Sequence, residues 1–219
     1  MSVPSVKFCG LTRRADALLA DSLGAEYGGV ILAPGGKRSM TPAAAAALFD
    51  GLGLTRVGVF VDAGVDEVRR AADVAGLQVL QLHGSESPAQ VAALRSEGRW
   101  SVWKAVRPRT AAEFREMLDH YGGELDAFLL DGWSPSAAGG TGVRFPWEEV
   151  APYRDDIPGS VALAVAGGLG ADSVARAIAL LRPQIVDVSS GVESAPGVKD
   201  PAAMPAFLEA VRRAVPAFQ

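Results

Sequence analysis

The chain has 219 residues, and it is poor in the side chains that anchor most small functional sites. A single cysteine, Cys9, excludes an internal disulfide and leads us to expect a reducing cytoplasm. Two histidines and one cysteine are too few for a typical zinc site, so no metal is expected. Basic residues form no block and the formal net charge is −4, which argues against a nucleic-acid surface. No apolar run approaches the length of a membrane span, and MSVPSVKF lacks the apolar centre of a signal peptide, so no membrane partner is expected. No Pro/Ser-rich linker divides the chain; its 25 glycines and 14 prolines are spread along it. No GxGxxG follows the first strand-like run, which weakens a dinucleotide-binding reading.

What is present is alternation. Short β-branched or apolar runs begin near Val6, Tyr27, Arg56, Val79, Ser101, Ala127, Val161 and Ile185. Helical patterns lie between them. TPAAAAALFDGLG and SPAQVAALRSEG each open on a hydroxyl cap followed by proline at the first helical position. VDEVRRAADVAG places Val65, Val68 and Ala72 on one face, and TAAEFREMLDHYGG does the same for Phe114, Leu118 and Tyr121. FPWEEVAPY leaves room for only a short helix. Eight strand–helix repeats predict an α/β fold, a single-domain (β/α)8 TIM barrel spanning 1–219. A doubly wound sheet is the alternative, although eight strands are many for it.

In such a barrel, chemistry sits at the C-terminal ends of the strands. Cys9, Asp62, His83, Arg107, Asp131 and the Asp187, Ser189, Ser190 group stand there. Alternation gives Lys7 and Cys9 one facing, as it does Gln81 with His83 and Leu129 with Asp131. Cys9 reads as a small buried hydrophobe or as a base whose thiolate Lys7 would favour. Asp131 interrupts an apolar strand and reads as a loop cap, an ion-pair partner or an acid. Arg38 is either a solvated loop charge or a fork for a carboxylate. His83 is expected to hydrogen-bond within the upper layer, and Lys104 raises the possibility of a Schiff-base aldolase. Three glycine-rich loops, GGTG (139–142), AGGLGAD (166–172) and SSGVESAPG (189–197), follow the last three strands, where barrels commonly hold phosphate.

Together these stretches resemble the phosphoribosylanthranilate isomerase family. The likeness runs in consistent order from VKFCGLT through KRSMTP, QLHG, LLD, GGTGVRFPW and AGGL to VDVSSGVESAPGVKD. Three stretches depart from the family pattern: Phe145-Pro146-Trp147, where Phe-Asp-Trp is usual, Gly132-Trp133 after Asp131, and a second loop without the aromatic after its arginine.

The resemblance implies an Amadori rearrangement, with Asp131 as general acid and Cys9 as general base. It implies that Arg38 holds the anthranilate carboxylate, and that Asp187 either contacts the substrate amino group or orients Lys7. Gly140, Thr141, Gly142, Gly167, Gly168, Ser190 and Gly191 would surround the phosphate. The partner is then a small phosphorylated substrate bound by a monomer or homodimer, and a redox-neutral isomerisation needs no cofactor. An indole-glycerol-phosphate synthase, another phosphate-sugar barrel or a barrel that binds without turnover are the rival readings.

Overall fold

The computed structural model describes residues 2–132 and 147–215. The eight apolar runs form β1 (Ser5–Phe8), β2 (Tyr27–Ile31), β3 (Thr55–Phe60), β4 (Val79–Leu82), β5 (Ser101–Val106), β6 (Ala127–Leu130), β7 (Ala162–Val165) and β8 (Ile185–Val188). All eight are parallel and paired in chain order. β8 returns to β1 along Ser5↔Ile185 to Phe8↔Val188, which closes the barrel.

Helices α1 (Arg14–Ser22), α2 (Pro42–Phe49), α3 (Val65–Ala75), α4 (Pro88–Arg95), α5 (Ala111–Tyr121), α6 (Trp147–Val150), α7 (Val174–Leu181) and α8 (Ala203–Arg213) follow the strands one by one. Their starts have local causes. Thr41 Oγ1 accepts the Ala44 N–H at 3.2 Å, and Ser87 and Gln90 form a reciprocal capping box ahead of Pro88. α3 ends on Gly76 at φ +62°, a left-handed stop that suits glycine. The short helix expected in FPWEEVAPY is α6, extended by a 3-10 stretch over Ala151–Asp156.

One element went unforeseen. SSGVESAPG, read as a loop, contains β9 (Glu193–Ala195), which pairs antiparallel with β10 (Val198–Lys199). Strands of three and two residues are too short to show an alternating pattern.

Two layers of apolar packing result. Phe8, Val30, Leu80, Leu82, Phe128 and Leu130 face outward against the helices. Val57, Val79, Trp103, Ala105, Ala127, Leu129, Ala164, Ala166 and Ile185 fill the barrel interior. The interior set settles the strand parity. Leu129 points inward, so Asp131 does too, and Trp103 and Ala105 point inward, which turns Lys104 out.

Candidate active site

The upper interior layer is polar because strand ends deliver Lys7, Cys9, Gln81, His83, Asp131 and Asp187 there, all buried. On β1, Lys7 Nζ donates to both carboxylate oxygens of Asp187 at 3.0 Å, on the neighbouring rung of β8. Gly29 of β2 makes room for this group. A Cβ there would come within 3.0 Å of Lys7 Nζ and 3.1 Å of Cys9 Sγ. Burial pulls the Lys7 ammonium down, but Asp187 and Cys9 more than offset it, and Lys7 is held above its ordinary range.

At Cys9, burial and charge oppose each other. Lys7 does favour the thiolate, yet burial outweighs it and pushes the Cys9 thiol up. Asp131 runs the other way. Burial alone would raise it, but His83, Arg107 and the Gly132 N–H together hold it below the usual carboxylate range. His83 Nε2 lies 3.0 Å from Asp131 Oδ2, Arg107 Nε lies 3.6 Å from the same oxygen, and Gly132 N donates to Oδ1 at 2.8 Å. His83 thus hydrogen-bonds in the upper layer as expected, and its partner is the candidate acid.

Arg38 is paired within the protein. Its Nε and Nη2 donate to the Glu193 carboxylate at 2.9 and 2.6 Å, so one edge of the fork is already used within the protein. Lys199 closes the group: its Nζ donates to Glu193 Oε1 at 2.9 Å, to Cys9 O at 2.6 Å and to Ser189 O at 3.1 Å. The β9–β10 hairpin therefore ties the loop after β2 to the ends of β1 and β8.

Of the proposed phosphate residues, Gly140, Thr141 and Gly142 lie outside the described residues. Gly167 and Gly168 have φ of +80° and +68°, and a Cβ on Gly167 would strike the backbone of Gly132. A Cβ on Gly191 would strike Leu169 O, so the loop after β8 presses directly on the loop after β7. Ser190 to Val192 makes one 3-10 turn there.

Two strand-end charges serve elsewhere. Asp62 Oδ1 accepts the Ser85 N–H at 2.6 Å, fastening the loop after β4. Lys104 turns to the helix side, where Nζ pairs with Glu86 at 3.1 Å and donates to Gly84 O at 2.8 Å and Ala105 O at 3.0 Å. It does not enter the barrel mouth, which removes the geometric basis for an aldolase. Gln81, Arg107, Glu193 and Lys199 carry contacts at the site but were assigned no role from the sequence. For Glu193 and Lys199 the only signal was their place inside VDVSSGVESAPGVKD.

Residues 6–210 match the family model described as N-(5'phosphoribosyl)anthranilate (PRA) isomerase. The chain belongs to this family. A relative from Citrifermentans bemidjiense named N-(5'-phosphoribosyl)anthranilate isomerase is 42% identical over 198 residues, covering 90% of this chain and 91% of its own. The Thermotoga maritima phosphoribosyl anthranilate isomerase structure superposes with a TM-score of 0.87 at 33% identity, covering 96% of this chain and 99% of its own. Another isomerase structure, described as a complex with reduced 1-(o-carboxyphenylamino)-1-deoxyribulose 5-phosphate, gives a TM-score of 0.83 at 32% identity over 96% of this chain and 99% of its own. Isomerase-family membership agrees with a barrel whose polar residues gather at the C-terminal ends of its strands. Among the described residues no helix is long and apolar enough to cross a membrane.

Proposed function

We propose that this chain, acting as one barrel domain in the cytoplasm, converts N-(5-phosphoribosyl)anthranilate to 1-(2-carboxyphenylamino)-1-deoxyribulose 5-phosphate in tryptophan biosynthesis. The observation that carries the reading is the pair of buried ionisable side chains, Cys9 and Asp131, placed by β1 and β6 at the same end of a barrel of this family.

In this reading Asp131 gives its proton to the furanose ring oxygen. The C1'–O bond breaks, and the anilino nitrogen lone pair forms the C1'=N bond of a protonated Schiff base. The Cys9 thiolate then removes the C2' proton. The C2'–H electrons become the C1'=C2' bond and the C=N electrons return to nitrogen, giving an enolamine. Loss of the enol proton and protonation at C1' complete the ketone. Each positioned acid or base contributes about 10²–10⁴-fold.

The ligand-free site favours a thiol on Cys9 and a carboxylate on Asp131. That is the state left when one turnover ends, with Cys9 holding the C2' proton and Asp131 having released its own. The productive state, carboxylic acid plus thiolate, carries the same number of protons and is the minor of the two. Its fraction stays constant between the two apparent pKa values, so activity should show a plateau limited by Asp131 on the acid side and Cys9 on the alkaline side. Arg38, with its remaining edge, would hold the anthranilate carboxylate, and the stacked loops after β7 and β8 would hold the phosphate.

The deciding assay follows the loss of anthranilate-type fluorescence when freshly made phosphoribosylanthranilate is added. Turnover is expected. Retained binding without turnover would instead mark a silent barrel.

A further inference from the structure

Gln81 lies two residues before His83 on the same inward face, and it is 1% exposed. Its Nε2 sits 2.9 Å from His83 Nδ1. An amide nitrogen can only donate, so with the amide in this orientation Nδ1 is the bare ring nitrogen and the imidazole proton lies on Nε2. Nε2 points at Asp131 Oδ2, an acceptor, 3.0 Å away. The chain of donors therefore runs one way, from Gln81 through His83 to Asp131. Gln81 Oε1 has no partner among the described residues, so the contact with His83 is the polar tie of this side chain.

We propose that Gln81 is a positioning residue for the acid: it locks His83 in the Nε2–H tautomer, so that Asp131 faces a neutral donor and not an imidazolium. A second proton on Nδ1 would point straight at the Gln81 amide hydrogens, which opposes it. This matters because ring opening needs a protonated Asp131, and a cation at hydrogen-bond distance would hold the carboxylate form more firmly than a neutral N–H does. Positive charge is already supplied from β5 by Arg107, whose Nε has no hydrogen-bond partner among the described residues. Asp187 faces Asp131 from β8 and is itself paired with Lys7 of β1, while the Gly132 N–H binds Oδ1. The kinetic consequence rests on the reading of Asp131 as the acid. The tautomer does not.

The test begins with the full-length protein labelled with ¹⁵N-histidine at neutral pH. Only His83 and His120 contribute signals, and a His120→Gln variant assigns them. His83 is expected to show a protonated Nε2 and a bare Nδ1. Gln81→Glu places an acceptor at Nδ1, and its His83 is expected to carry protons on both nitrogens. If the apparent pKa of the acid falls by about one unit, the kcat/KM plateau falls about tenfold and extends further into acid. The variant and wild-type profiles then converge at low pH, which a merely structural defect would not produce. A wild-type His83 protonated on Nδ1, or a Gln81→Glu profile lowered by the same factor at every pH, overturns the proposal. If Gln81→Glu does not fold, the wild-type spectrum still decides the tautomer. Full turnover by Asp131→Asn would overturn the acid reading, and the spectrum would separate that failure from failure of the lock.

Discussion

Lys7 and Asp187 form a buried ion pair across the rung where β1 meets β8, with Nζ 3.0 Å from each carboxylate oxygen. The pair lies directly beside Cys9, and the seam it bridges is the one that closes the barrel. Lys7 is fully buried and Asp187 is 6% exposed, so neither charge is relieved by water if its partner is removed.

Breaking that pair should therefore cost more than deleting it. Lys7→Met or Asp187→Leu alone leaves an uncompensated buried charge and is expected to destabilise by about 3–5 kcal/mol. The double variant should lose much less than the sum of the two. Urea unfolding of all four proteins measures this, and additive losses would show that the two charges do not interact energetically.

Cys9→Ser and Asp131→Asn keep the shape of the site and, on the proposed mechanism, each remove one proton carrier. Each should lower kcat by at least about 10²-fold with a modest change in KM. The double variant should fall by less than the product of the single effects. Because burial holds the Cys9 thiol up while His83 and Arg107 help hold Asp131 down, the wild-type kcat/KM should be flat around neutral pH. It should fall on the acid side as Asp131 becomes protonated together with Cys9. On the alkaline side it should fall as both groups lose their protons. A Cys9→Ser enzyme with nearly full turnover would make the cysteine a core filler.

Arg38 keeps one guanidinium edge free of Glu193. In the proposed binding mode its pairing with a substrate carboxylate should contribute about 1.5–3 kcal/mol. Arg38→Ala should accordingly reduce kcat/KM for phosphoribosylanthranilate about 10–100-fold more than for the aniline analogue that lacks the carboxylate. Equal losses on both substrates would assign Arg38 to holding the β9–β10 hairpin through Glu193.

The phosphate reading places an anion against the glycines after β7. Millimolar inorganic phosphate should compete with substrate, and Gly168→Asp should raise KM well beyond Gly168→Ala, which controls for strain at φ +68°. Absence of both inhibition and thermal stabilisation by phosphate would move the anion elsewhere.

The sequence by itself determined the barrel, because periodicity and capping are local. Thr41-Pro42 and Ser87-Pro88 each carry a cap and a proline that favour a helix start, and eight apolar runs at regular spacing leave few topologies open. It also showed which side chains stand at strand ends, since alternation along β6 links Asp131 to the interior Leu129. Only the tertiary structure decided what those side chains do to one another. Whether Lys104 faces the mouth or the helices depends on the parity of β5, which the sequence leaves open until neighbouring strands are in register. The Lys199–Glu193–Arg38 group joins residues from two distant loops through side-chain hydrogen bonds that leave no periodic signal. The protonation pattern of Cys9 and Asp131 is likewise a tertiary property. Burial and opposing charges contend at each group, and which of them wins depends on distances of a few ångströms that only the closed barrel sets.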